Sequence, residues 1–134
     1  MGLRRKSREL ALQFFYGHDL QKRPGTEDTL QAELQEFFVC FKNEQKALPY
    51  AEQLIVGICA RQQDIDSALS RCSHHWRMER MALVDRNILR IAAYEMQYVE
   101  DVPATVVINE ALEIAKRYAE PDAVAFINGI LDGL

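Results

Sequence analysis

The chain is poor in the residues that carry redox, metal and nucleophilic chemistry. Its three cysteines, Cys40, Cys59 and Cys72, are odd in number and widely spaced, which excludes a disulfide framework and a CxxC zinc or redox motif. Cys40 and Cys59 stand in apolar runs and are expected as small core residues. Six glycines and four prolines in 134 residues exclude a collagen-like or low-complexity chain. Uncharged stretches are short: 53–60 and 102–109 fall far below the roughly 18 residues of a membrane span. The N-terminal cations run straight into Arg8 and Glu9, without the apolar run of a signal peptide. A cytoplasmic protein is expected.

Catalytic signatures are also missing. There is no GxSxG elbow, no Gly-rich phosphate loop and no HExxH helix. Ser7, Ser67, Ser70 and Ser73 have no nucleophile context, and His74-His75 beside Cys72 lacks a second ligand pair at metal spacing. Adjacent histidines point apart on a helix, so an exposed inter-helix connection is the simpler account. Asp64 and Asp66 read as a solvated helix face. No enzyme, metal or cofactor is expected.

What the chain has is a globular balance, 49% hydrophobic and 27% charged, in a length that makes one domain, 1–134. Net charge is −4, but its distribution is uneven. Arg4, Arg5, Lys6 and Arg8 place four cations and no acid in the first eight residues. Twelve of the sixteen cations and all twenty acids follow, a net of −8. A basic arm on an acidic body points to a nucleic-acid contact.

Apolar residues recur at helical spacing almost throughout. A first helix is expected over about 3–20, ended by Gln21-Lys22-Arg23-Pro24-Gly25. Thr26 looks like the N-cap of a second, carrying Leu30, Leu34, Phe37, Phe38 and Phe41 inward. Pro49 opens a long third helix reaching Cys72, and Met78–Met81 suits a single turn. Asp85 caps or starts a helix ending near Tyr98. Pro103 breaks the chain, 105–119 forms the next helix, and Pro121 or Asp122 starts the last. No β-alternation persists. The expected fold is all-α, about seven helices in two packed subbundles joined near Ser73.

The arm lies on a helix, where cations in the first turn oppose the macrodipole. At 100° per residue, Arg5, Arg8, Glu9, Leu12 and Tyr16 fall opposite Leu3, Leu10 and Phe14. That face would offer cations to phosphates and Tyr16 to an unpaired base; a solubilising, frayed terminus is the plain alternative. Along 81–99 most of the circumference is apolar, and Arg86, Arg90 and Tyr94 form the remaining stripe, facing solvent, a partner or a salt bridge. Val124, Ile127 and Leu131 make the core face of the last helix, with Phe126 at its edge.

Four ordered segments, RRKSRELALQFFY (4–16), VDRNILRIAAYEM (84–96), DVPATVVINEALEIAKRY (101–118) and FINGILD (126–132), resemble the NusB transcription antitermination factors. The likeness is strong over 4–16 and 83–132 and weak over 21–75. It implies an all-helical fold of two subbundles that binds boxA RNA with NusE, a small-subunit ribosomal protein. That pair joins an antitermination complex on RNA polymerase, without catalysis or cofactor. By motif, Arg4, Arg5, Lys6 and Arg8 match the arginine-rich RNA contact, completed by Gln13 and Tyr16. Arg90 and Phe126 match RNA neighbours, and Glu79 and Asp85 fall where the family meets NusE. Some members pair as homodimers, and pairing through the first helix would hide the RNA surface. The chain departs from the pattern at Ala125, where a basic residue is usual, and at Gly133-Leu134, where many members carry a basic tail. Two alternatives stand: the accessory helical domain of a ribosomal RNA cytosine methyltransferase, and a purely structural helical adaptor. For the first, 134 residues leave no room for a methyl-donor domain.

Overall fold

A computed structural model describes residues 2–21, 27–73 and 80–134. Among them are six α-helices: α1 (Leu3–Gln21), α2 (Glu27–Val39), α3 (Leu48–Cys72), α4 (Leu83–Tyr98), α5 (Ala104–Tyr118) and α6 (Pro121–Asp132), with a 3₁₀ turn at Lys42–Glu44. Counting that turn, the helical segments number seven. No described residue is in a strand, and no described helix is long and apolar enough to cross a membrane. Thr26, His74, His75 and Met78 lie outside the described residues.

Proline sets several boundaries. Pro121 occupies the first turn of α6 with Asp122 beside it, a position where its missing N–H costs nothing. Pro103 stands just before α5, and its carbonyl accepts the N–H groups of Val106 and Val107 at 3.0 and 3.1 Å. Lys116 and Arg117 close α5, as its dipole favours.

The chain divides into two compact units, Met1–Val56 and Gly57–Leu134. The division falls within α3 rather than near Ser73, because the start of this long helix packs with the N-terminal elements. In the first unit Leu10, Ala47 and Ala51 form a buried cluster, with Phe41 and Leu48 against it. Phe37 meets Phe14 edge-on at 5.4 Å and Phe41 at 4.7 Å, tying α1 to α2 and the following turn. Buried Ser7 donates its hydroxyl to the Ala47 carbonyl at 2.7 Å. At the far end of α1, His18 Nδ1 lies 2.9 and 3.0 Å from the two carboxylate oxygens of Glu33.

In the second unit α4, α5 and α6 pack on one another. α4 contributes an unbroken buried run from Asn87 to Glu95, as expected of a helix apolar on most sides. Gly57 admits the Tyr94 side chain: a Cβ there would fall within its hydroxyl and ring carbons. One turn on, Arg61 leaves helical geometry (φ −121°, ψ 18°) and kinks α3. Its guanidinium sits 4.3 Å above the Tyr98 ring, which packs against Tyr94 at 5.3 Å. Cys40, expected in the core, is exposed, because it falls just past the end of α2; Cys59 is half-buried.

Candidate nucleic-acid interface

The arm is the first turn and a half of α1, which has no acid in its first turn. Its four cations do not share one environment. Arg4 is exposed, with Cζ 4.6 Å from the centroid of the Tyr50 ring. Arg5 is half-buried. Lys6 Nζ lies 3.5 Å from Glu44 Oε1 across a partly solvated gap, a separation and exposure at which an ion pair contributes little. Arg8 corrects the expectation of an outward residue: it is 4% exposed. The reason is the width of the covered face. Ser7 to Leu12, then Phe14 and Phe15, are all buried, so burial reaches around Arg8 and Leu12. The three-residue stripe read from spacing was too narrow. Leu3, expected inward, is exposed at the helix end.

Past the arm, α1 is most open to solvent at Gln13, Tyr16 and its last two residues. Gln13 is exposed and Tyr16 is 44% exposed; Tyr16 keeps the outward place expected from helical phase, while Glu9 and Leu12 of the same expected face are buried. The result is a set of cations followed by an amide and an aromatic ring along one helix, able to meet phosphates, base edges and a base face.

Arg90 needs a second correction. Of the readings open for the stripe of Arg86, Arg90 and Tyr94, the salt bridge is the one found, made by Arg90 with Asp66 on α3. Arg90 and Tyr94 are buried. Arg90 Nε and Nη2 donate to the two carboxylate oxygens of Asp66, each at 2.8 Å, and Nη1 donates to Asn87 Oδ1 at 3.2 Å. Asn87 Nδ2 in turn donates to the Leu83 carbonyl at 2.9 Å. This bidentate pair pins α3 to α4 within the second unit. Asp66 is thus a structural anion whose side chain stays partly solvated, while Asp64 is exposed as expected. Arg86 is half-buried, and its Nε is enclosed without a hydrogen-bond partner among the described residues. Phe126 is half-buried on α6, and Ala125 beside it is exposed. Glu79 lies outside the described residues.

Asp85 is not the cap of α4. Ala82 holds that position and makes no side-chain cap bond, while Asp85 sits within the first turn. Partial burial, and then the charge of Glu120, push its carboxyl above the ordinary 3.8. The sign of the linkage follows. A raised folded-state value means the native protein holds this proton more tightly than the unfolded chain. The associated stability is complete below about 3.8 and is lost as pH rises through the folded value. At neutral pH the charge is therefore a liability. Asp85→Asn is expected to raise Tm at pH 7, with the gain shrinking as pH falls toward 4. A lower Tm at pH 7 would show that the helix dipole's preference for a first-turn anion outweighs desolvation.

Sequence reasoning missed Tyr50, which meets the arm from the first turn of α3. No local period links residues 46 positions apart. The acidic partner of Arg90, 24 residues away, was hidden for the same reason.

The NusB family model matches residues 5–134. The transcription antitermination protein NusB of Desulfosudis oleivorans is 44% identical over 132 residues, covering 98% of this chain and 84% of that protein. Among solved structures, NusB of T. maritima superposes with a TM-score of 0.83 at 34% identity, over 96% of this chain and 87% of that one. A chain in the crystal structure of antitermination factors NusB and NusE in complex with dsRNA shares the fold, with a TM-score of 0.78 at 23% identity. It covers 97% of this chain and 93% of that one.

Proposed function

The chain belongs to the NusB family, and from that premise we propose a non-enzymatic transcription antitermination factor acting in the cytoplasm. It binds boxA-type single-stranded RNA together with NusE and suppresses termination on RNA polymerase, chiefly in ribosomal RNA transcription. The observation that supports this most is the arm. Arg4, Arg5 and Lys6 crowd a helix N-terminus that disfavours them, a local rule broken at a surface. Gln13 and Tyr16 extend the same helix face outward. Cations supply affinity through the phosphates, and the amide and ring supply preference for unstacked bases. The net −8 of the remaining chain repels RNA elsewhere and makes the arm its main electrostatic contact. Phe126, half-buried on α6, is the second-unit aromatic proposed to face RNA. Arg8 is buried beneath the arm on α1, and Arg90 is taken as structural within the second unit.

NusE is proposed to meet Asp85 in the first turn of α4 and, by motif, Glu79. A basic ribosomal partner would relieve the repulsion between Asp85 and Glu120 and would be steered by it. The test is a titration of labelled boxA-type single-stranded RNA with the chain, with and without NusE, over a series of salt concentrations. Binding that weakens linearly on a log–log salt plot and tightens with NusE is expected. Salt-independent or absent binding would leave the structural-adaptor reading in its place.

A further inference from the structure

At the exposed start of the arm, Arg4 lies against an aromatic ring. Its guanidinium carbon lies 4.6 Å from the centroid of the Tyr50 ring, within the range of a cation–π contact. Arg4 is exposed and Tyr50 half-buried, so the ring is the anchored member and the guanidinium the solvent-side member. The two stand on elements fixed to each other. Tyr50 occupies the first turn of α3, between Ala47 and Ala51 of the buried cluster. One turn from Arg4, Ser7 donates to the Ala47 carbonyl at 2.7 Å. An uncharged ring orients a guanidinium without cancelling its charge, unlike the Asp66 carboxylate that occupies Arg90. A guanidinium plane also stacks on nucleic-acid bases, which an ammonium does not.

Resting on the RNA-binding function proposed for the arm, we propose that Tyr50 is a positioning residue for RNA. It holds the Arg4 guanidinium flat, so that its outer face stacks an unpaired base in a base–guanidinium–tyrosine sandwich. Tyr50 need not touch RNA. It removes the cost of ordering a long side chain on binding.

The test uses the full chain and a labelled boxA-type single-stranded RNA of about twelve nucleotides, intact and with an abasic site at each position in turn. Tyr50→Phe keeps the ring and is expected to bind within about twofold of wild type. Tyr50→Leu is expected to bind roughly two- to tenfold more weakly, the scale of one immobilised side chain. Its salt slope should not change, because every phosphate keeps its cation. Arg4→Lys keeps the charge and gives up the plane, so it should bind as weakly at the same slope. One abasic position should weaken wild type but not Arg4→Lys. Wild-type affinity in both Tyr50→Leu and Arg4→Lys would overturn the proposal. So would a slope reduced in Tyr50→Leu, which would put Arg4 on a phosphate. If Tyr50→Leu fails to fold, Arg4→Lys and the abasic scan decide alone. No RNA binding by wild type would overturn the RNA-binding function itself, and this inference with it.

Discussion

Asp66→Ala is expected to be the most destabilising single change among the charged residues of the second unit. It leaves the Arg90 guanidinium, 4% exposed, without its bidentate carboxylate. Arginine cannot shed its charge, so a buried cation is left undercompensated. Breaking such pairs costs about 3–5 kcal/mol. The lower end applies here, because the Asp66 side chain is 27% exposed and water already reaches the pair. A loss of about 3 kcal/mol lowers Tm by roughly 10 °C in a chain of this size. The reverse change should be milder. Arg90→Met leaves a carboxylate that can turn to solvent, and methionine refills much of the space. Combining Asp66→Leu with Arg90→Met should recover most of the stability, since an apolar pair of similar volume often matches a buried ion pair. Thermal unfolding of wild type and the three variants checks the ordering. RNA titration of Arg90→Met checks the assignment: full affinity with a lowered Tm makes Arg90 structural, whereas weakened RNA binding at an unchanged Tm would return it to the RNA surface.

The contrast between Arg90 and Arg4 shows what was legible in the sequence and what was not. Helix positions were legible because their signals are local. Pro49, Pro103 and Pro121 act within a turn of where they stand, and α1, α3 and α6 begin within about a residue of the expected places. The outward place of Tyr16 was legible from the same 3.6-residue period, whereas Gln13 was indicated only by the family resemblance. The fate of a cation was not legible, because its partner is set by packing. Arg86, Arg90 and Tyr94 form a clean i, i+4, i+8 series that suggests a solvent stripe. Yet Asp66 and Gly57 on α3 cover it, and neither is near it in sequence. Arg8 failed for a related reason: periodicity gives the direction of a buried face, not its angular width. The unit boundary inside α3 was similarly invisible, since a helix keeps one period across it.

Replacing the three outer arm cations together, Arg4→Ala, Arg5→Ala and Lys6→Ala, is expected to have the largest effect on function. Each single-strand phosphate neutralised by a cation contributes roughly 0.7 to the salt slope; Arg5 and Lys6 are the phosphate cations, so their removal lowers the slope by about 1.4, while Arg4 gives up its base stack. The slope alone is worth about 25-fold at 0.1 M salt, and the lost stack roughly two- to tenfold more, which together puts the drop near a hundredfold, of order 3 kcal/mol. Stability should move little or rise. The alanines remove three charges that oppose the α1 dipole and have the better helix propensity. Two of the interactions given up, Lys6 with Glu44 and Arg4 with Tyr50, lie at the surface. Arg8 is left in place because it is buried. Adding Arg8→Ala should lower Tm by stripping the packing of its aliphatic stem, and that penalty separates the structural arginine from the three that face solvent. An unchanged salt slope in the triple variant, with RNA still bound, would place the interface elsewhere on the molecule and make the arm a solubilising terminus.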